Sequence, residues 1–243
     1  MEEDNKTFYI KVSSDGPYLV FGNPPIDQEI IISNDNCNSW FYRKGLNFNT
    51  ENKKDPVALC RCGKSKDKPF CDGSHKSVEW DSKETYNMCP YSEFAKKYEG
   101  PLYTLEDNEQ FCTHAQFCLA YQGAWELVMM ANNNKEEEIL KHEVSHCPGG
   151  RLVLRNHETG KILEYPFPPS LGIIENPGMK ISGPIWVKGG IRIESADNRT
   201  YEIRNRVALC RCGNSKNKPF CDGTHTKIKF NDGLPLDGND KEW

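Results

Sequence analysis

At 243 residues, with 37% hydrophobic and 27% charged side chains, the chain has the composition of a folded protein of one to three units rather than a disordered or fibrous one. Its 31 basic and 35 acidic side chains leave a formal charge of -4, which disfavours a partner gripped through nucleic-acid phosphates. No stretch approaches the roughly 18 apolar residues of a membrane span, and the opening MEEDNKTFYI lacks the basic-then-apolar layout of a secretory leader, so a soluble cytoplasmic chain with no membrane partner is expected.

In chain order, Gly16, Pro17, Val20 and Gly22 mark a turn and a strand near the start. The segment CNSWFYRKGLNFNTENKKD, residues 37 to 55, is rich in Asn and Lys and reads as a loop. There follows the string CRCGKSKDKPFCDGSH, Cys60 to His75.

From about Asp81 to Ser170 the character changes, with no internal match to what flanks it. CPYSEFAKKY, Cys89 to Tyr98, reads as a short helix. ANNNKEEEILKHEVSHC gives a clearer one, with Asn134 as its cap, glutamates in the first turn and Leu140, Val144 and Cys147 on one face. Leu152 to Leu154 and Ile162 to Tyr165 read as strands joined through Glu158, Thr159 and Gly160. Trp125 falls in an apolar run and reads as core, His142 and His157 as exposed, and Cys37 matches no motif.

Strands are then expected at Ile185 to Lys188, Ile191 to Glu194 and Thr200 to Arg204, with turns at Gly189-Gly190 and Asp197-Asn198. They lead into CRCGNSKNKPFCDGTH, Cys210 to His225. Residues 56 to 80 and 206 to 230 agree at 16 of 25 positions, and Gly183, Pro184, Val187 and Gly189 echo the four early positions. The chain is therefore duplicated, with extra residues in the first copy. Two copies are too few for a solenoid, so a pseudo-symmetric pair is expected. The tail DGLPLDGNDKEW reads as loosely held.

Each string sets three cysteines and a histidine at identical offsets. Thiolates suit iron-sulfur clusters, zinc and Cu(I), and imidazole suits iron and zinc, so the residue types alone leave the metal open. Zinc knuckles usually begin with CxxC or CxxxxC, whereas these begin with CxC. In a two-iron centre Cys60 with Cys62, and Cys210 with Cys212, would hold one iron each. Cys71 with His75, and Cys221 with His225, would hold the others. Arg61, Arg211, Lys64, Lys66, Lys68, Lys216 and Lys218 add positive charge, read first as solvated loop and second as a docking surface for an acidic redox partner.

Both strings match CxCxx(S/T)xxxPxCDG(S/A/T)H at every specified position, with Ser65 and Ser215 in the hydroxyl slot and Pro69 and Pro219 in the proline slot. They resemble the CDGSH iron-sulfur, or NEET, family. That resemblance implies two 2Fe-2S clusters, held by Cys60, Cys62, Cys71 and His75 and by Cys210, Cys212, Cys221 and His225. It also implies an α+β, mainly β fold of two intertwined halves about a pseudo-twofold axis. Asp72 and Asp222 are expected to cap a short helix starting at the following glycine, facing the cluster. The CTHAQFC and HCPGGRL segments are similar to a divergent single-cluster ferredoxin-like domain. There Cys112, Cys118 and Cys147 fall on the pattern, with Cys89 or His114 as a possible fourth donor. The favoured expectation is a domain that has lost its cluster, its cysteines buried as small apolar residues.

The expected organisation is residues 1–80 as the first half, 81–170 as the inserted unit and 171–243 as the second half. The expected function is electron transfer or cluster transfer to a redox or cluster-acceptor protein by a monomeric pseudo-dimer with acid-sensitive clusters and no enzymatic activity. A zinc-stabilised interaction module and a redox subunit of an enzyme are the alternatives. No dinucleotide loop or nucleophile elbow supports the latter.

Overall fold

The computed structural model describes residues 8–34, 36–50 and 53–236. The start of the chain and the end of its tail, two segments read above, lie outside the described residues. The elements in order are β1 (Tyr9–Val12), β2 (Tyr18–Phe21), β3 (Ile26–Ser33), β4 (Ser39–Asn47), β5 (Val57–Leu59), β6 (Lys96–Glu99), β7 (Tyr103–Asp107), α1 (Ala124–Met130), α2 (Asn134–Ser145), β8 (Leu152–Asn156), β9 (Ser170–Asn176), β10 (Ile181–Lys188), β11 (Arg192–Glu194), β12 (Arg206–Leu209) and α3 (Thr224–Lys227). The fold is mainly β, as expected, and among the described residues no helix is long and apolar enough to cross a membrane.

Two sheets are shared between the repeated halves. One runs β11-β1-β2-β5 and the other β12-β10-β9-β3-β4. In the first, β11 joins β1 in parallel, Ile10 opposite Ile193; in the second, β3 joins β9 in parallel, Gln28 opposite Ile173. The second half thus lends one strand, β11, to the first sheet, and the first half lends two, β3 and β4, to the second, the intertwining that the resemblance implied. The reason is core size. Ile10, Val20, Ile26, Leu59, Ile173, Val187 and Leu209 lie in one buried cluster, so neither half closes a core alone. β3 and β10 are buried along nearly their whole length, and both are rich in the β-branched residues that fill such strands.

The middle segment folds on its own small sheet, β6-β7-β8, with α1 and α2 packed on it around Leu105, Leu127, Val128, Leu140, Val144 and Leu154. Tyr91, Phe111 and Val153 carry it into the shared core.

Several expectations are corrected. Within residues 37 to 55, Ser39–Asn47 is strand rather than loop, because β4 pairs with β3 at the edge of the sheet. The described residues after it, 48–50 and 53–55, have no strand, as the loop reading expected. Residues 89 to 98 are not a helix: a single 3-10 turn at Tyr91–Phe94 follows Pro90, and β6 begins at Lys96. The α2 cap is Asn133, whose side chain accepts from the N–H groups of Lys135 and Glu136. Thr200 and Ile162 make isolated bridges, to Glu194 and Arg155, rather than opening strands. The described part of the tail is anchored, since Gln28 Nε2 donates to Pro235 O at 2.6 Å.

Candidate metal centres

Each cluster loop is built by a short ladder. Leu59 bridges Phe70, with Cys60 N donating to Pro69 O (2.8 Å) and Cys71 N to Ala58 O (2.9 Å). Leu209 bridges Phe220 with the same bonds, Cys210 N to Pro219 O (2.8 Å) and Cys221 N to Ala208 O (2.8 Å). The ladder sets the first cysteine opposite the proline and the third opposite the alanine, on the two flanks of the bridge. The repeated hydroxyl pins the loop between them: Ser65 Oγ donates to Phe70 O at 2.6 Å, and Ser215 Oγ to Phe220 O at 2.7 Å.

The aspartates work one residue earlier than expected. Asp72 accepts from Lys66 N (2.8 Å) and Ser74 N (2.9 Å), and Asp222 from Lys216 N (2.8 Å) and Thr224 N (2.9 Å). Those N–H groups hold the Asp72 carboxyl well below the usual range. The N-cap residue is the glycine, Gly73 at φ 88 and Gly223 at φ 79, a left-handed conformation that a Cβ disfavours. The helical turns that follow span three and four residues, too short for a macrodipole. Single N–H groups face sulfur instead, from Lys64 to Cys62 Sγ (3.4 Å) and from Gly223 to Cys221 Sγ (3.5 Å).

The donors fall in two pairs per site. Cys60 and Cys62 sulfurs lie 3.9 Å apart, and Cys71 Sγ lies 3.3 Å from His75 Nδ1. In the second copy the separations are 3.7 Å and 3.3 Å. Among the described residues no three His, Cys, Asp or Glu side chains converge on a single ion. Two pairs fit a two-iron centre better than a tetrahedral zinc site.

Within each CxC pair one thiol is ready to ionise. Cys60 is pulled down to about 6 and Cys210 to about 7, first by the partner thiol and then by backbone N–H groups of the loop. Burial pushes His225 down to about 4, helped by Arg211 and His114, which keeps its ring in the neutral form that binds metal.

The two loops also meet each other. A Cβ at Gly63 would lie 2.6 Å from Cys212 O, and one at Gly213 would lie 2.4 Å from Cys62 O. This reciprocal contact is what a pseudo-twofold axis between the loops requires.

The solvated reading of the basic residues fails for four of the seven. Arg61 and Arg211 are each 2% exposed, Lys218 is buried, and Lys68 Nζ donates to the carbonyls of Gly63 and Ser65. Arg211 pairs with Glu175 (2.6 Å) and with Asp232. Sequence reasoning also missed Tyr18, whose hydroxyl donates to Cys210 O (2.7 Å), tying a first-half strand to the second cluster loop across 192 positions. No spacing signal marks such a contact.

In the middle segment Cys112, His114, Cys118 and Cys147 line one cavity of about 180 Å³ with Trp125 and Arg151, while Cys89 is not among its lining. These cysteines are half-buried rather than buried, so the reading of them as small apolar core is corrected. Arg151 pairs with Asp107 at 2.6 Å and donates to Cys112 Sγ at 3.3 Å. Trp125, also half-buried, donates to Asp107 Oδ2 at 3.0 Å, and its ring packs against the middle segment's core while also lining the cavity. His142, expected on the surface, stacks 4.2 Å from Trp40 and 4.0 Å from His146.

Behind this cavity Glu143 is fully buried, with one oxygen accepting from Tyr121 N and the other unpartnered among the described residues. Burial pushes its carboxyl up to about 7. The unfolded chain therefore gives up this proton at lower pH than the folded chain, and stability falls as pH rises from about 4.5 to about 7. Glu143→Gln is expected to raise stability by about 1–3 kcal/mol at pH 8 and by much less at pH 4.5. Urea unfolding at the two pH values checks this.

A family-model scan matches the iron-binding zinc finger CDGSH type at residues 15–76 and 182–226, and the divergent 4Fe-4S mono-cluster at residues 98–157. Comparison with curated proteins and with solved structures finds no match. The repeated Cys/His strings and the cysteine-lined cavity coincide with these matches: two segments of the chain are similar to the iron-binding zinc finger CDGSH type, and the segment between them is similar to the divergent 4Fe-4S mono-cluster.

Proposed function

We propose that the protein holds two 2Fe-2S clusters, each on three cysteines and one histidine, and carries electrons or clusters to a redox or cluster-acceptor protein rather than catalysing a reaction of its own. The paired donors, Cys with Cys and Cys with His, are the observation that carries this reading. A bound 2Fe-2S cluster supplies one-electron redox chemistry, and imidazole in place of thiolate removes a negative charge and raises the potential. The chain's part is to fix the donors. Ser65 and Ser215 lock the loops, Asp72 and Asp222 shape the turns that present the histidines, and Gly63 and Gly213 bring the two loops into contact.

The test is pulsed EPR on the reduced protein. Two imidazole-coupled centres are expected, with His75→Cys and His225→Cys each removing one nitrogen coupling and keeping the iron. Loss of iron in both variants with no nitrogen coupling in the parent would exclude the histidines as ligands.

A second reading concerns the middle cavity, where Cys112, Cys118 and Cys147 gather with His114 as a fourth donor within the segment matched to a 4Fe-4S family. These residues would hold a third cluster, with Arg151 beside Cys112 offsetting its negative charge.

A further inference from the structure

The two ligand sets are nearly identical in sequence, yet the fold gives them different surroundings. His225 is 4% and Cys221 3% exposed, whereas Cys71 and His75 are both half-buried. The middle segment makes the difference. A Cβ on Gly223 would fall 2.0 Å from His114 Cδ2 and 3.0 Å from Cys112 O, while one on Gly73 would meet nothing within 4 Å. Asn217 Nδ2 donates to Gln110 O at 2.8 Å, and its counterpart Asp67 has no amide to make that bond. The N–H groups of Thr85 and Tyr86 donate to Lys218 O at 2.8 and 3.0 Å, and Thr85 Oγ1 to Lys216 O at 2.8 Å. Phe220, beside Cys221, is ringed by Tyr86, Phe111 and Tyr201 at centroid distances of 5.1, 5.3 and 5.1 Å.

The buried arginines differ in the same sense. Arg211 is neutralised by Glu175 and Asp232. Arg61 lies between the rings of Tyr18 and Trp80, and among the described residues its Nε and Nη1 have no partner. The CxC cysteines are buried in both sites, so the difference lies in the other pair: the first site combines half-buried Cys71 and His75 with a positive charge that no carboxylate offsets among the described residues, and the second combines covered Cys221 and His225 with a compensated one.

We propose that the two sites divide the work: the set Cys60, Cys62, Cys71 and His75 is the exchange site, where an acceptor's thiolates reach the metal, and the set Cys210, Cys212, Cys221 and His225 is a retained site sealed by the middle segment. This rests on the two-cluster reading above. Exchange at the first site is ligand substitution with no net change of electrons. The bonds from Cys71 and His75 to metal break first and those from Cys60 and Cys62 follow, an acceptor thiolate replacing each; the released cysteine thiolates take up the protons that the acceptor thiols gave up, and the imidazole leaves neutral.

The test uses the intact, cluster-loaded protein under anaerobic conditions, challenged with a ferrous chelator and quenched at intervals with iodoacetamide for peptide-resolved mass spectrometry. Iron release is expected in two phases separated on the order of tenfold, given several hydrogen bonds holding the cover. Alkylation of Cys60, Cys62 and Cys71 follows the fast phase, and that of Cys210, Cys212 and Cys221 the slow one. Cys112, Cys118 and Cys147 are read on their own peptides. Asn217→Asp and Thr85→Val, which remove the bonds to Gln110 O and to Lys216 O, should each speed the slow phase several-fold and leave the fast phase unchanged. Release in parallel from both sets, or from the second set first, overturns the proposal and leaves the two-cluster reading intact. Protein that begins colourless and without sulfide overturns both.

Discussion

Replacing Arg211 with methionine is expected to lower stability by about 3–5 kcal/mol, because it strips the countercharge from two buried carboxylates. The guanidinium is 2% exposed and fully committed. It pairs with Glu175 and Asp232 and donates to Gly183 O and Ile174 O, each at 2.7 Å. Even with Arg211 in place, burial pushes the Glu175 carboxyl up to about 7. The carbonyl of Gly183 is available because the Gly183–Pro184 pair sits at a break in the β9–β10 register. One residue thus joins the repeated Gly-Pro echo, the end of the second half and the loop between Cys210 and Cys212. Arg61→Met, with no carboxylate to orphan, should cost less than half as much. Replacing Arg211, Glu175 and Asp232 together by apolar residues should recover most of the loss. Urea unfolding midpoints of the four proteins separate these outcomes; equal losses at Arg61 and Arg211 would contradict the assignment.

Gly213→Ala is expected to empty both metal sites, not one. Its Cβ would stand 2.4 Å from Cys62 O, so either the second loop retreats or the first cysteine pair is displaced. The residue is also at φ 80, which adds about 1–2 kcal/mol of left-handed strain for a non-glycine. Gly63→Ala is the mirror experiment against Cys212 O. Gly160→Ala provides the control, since Gly160 at φ 65 has the same backbone strain with nothing within 4 Å. Iron per chain should fall by more than half in both loop variants and stay at the parent level in the control. A loss confined to the altered copy would show that the loops are independent.

The donor strings proposed as ligands stood out in the sequence because they are local: four donors lie within sixteen residues, and the duplication doubles the signal. The shared core was legible in outline, since two small halves with one repeated pattern need a common core, whereas the exchange of strands came only from the family resemblance. Contacts set by the third dimension were not legible. Tyr18 reaches Cys210 from 192 positions away, and His114 reaches Gly223 across the domain junction. Nothing in the spacing of either residue announces its partner. Composition misled at β4, an edge strand hidden by the Asn- and Lys-rich residues that follow it, and at Arg61 and Arg211, whose place in a lysine-rich loop concealed their burial. The asymmetry between the sites is the extreme case, because near-identical strings acquire different exposure only from what packs on them.

The most direct test of the central claim is a count of iron, zinc and acid-labile sulfide per chain on anaerobically purified protein, with its visible spectrum. Two 2Fe-2S centres predict about four irons and four sulfides with thiolate-to-iron absorption, and a clear excess of both would assign a third cluster to the cavity of Cys112, Cys118 and Cys147. Colourless protein with about two zincs and no sulfide would contradict the account.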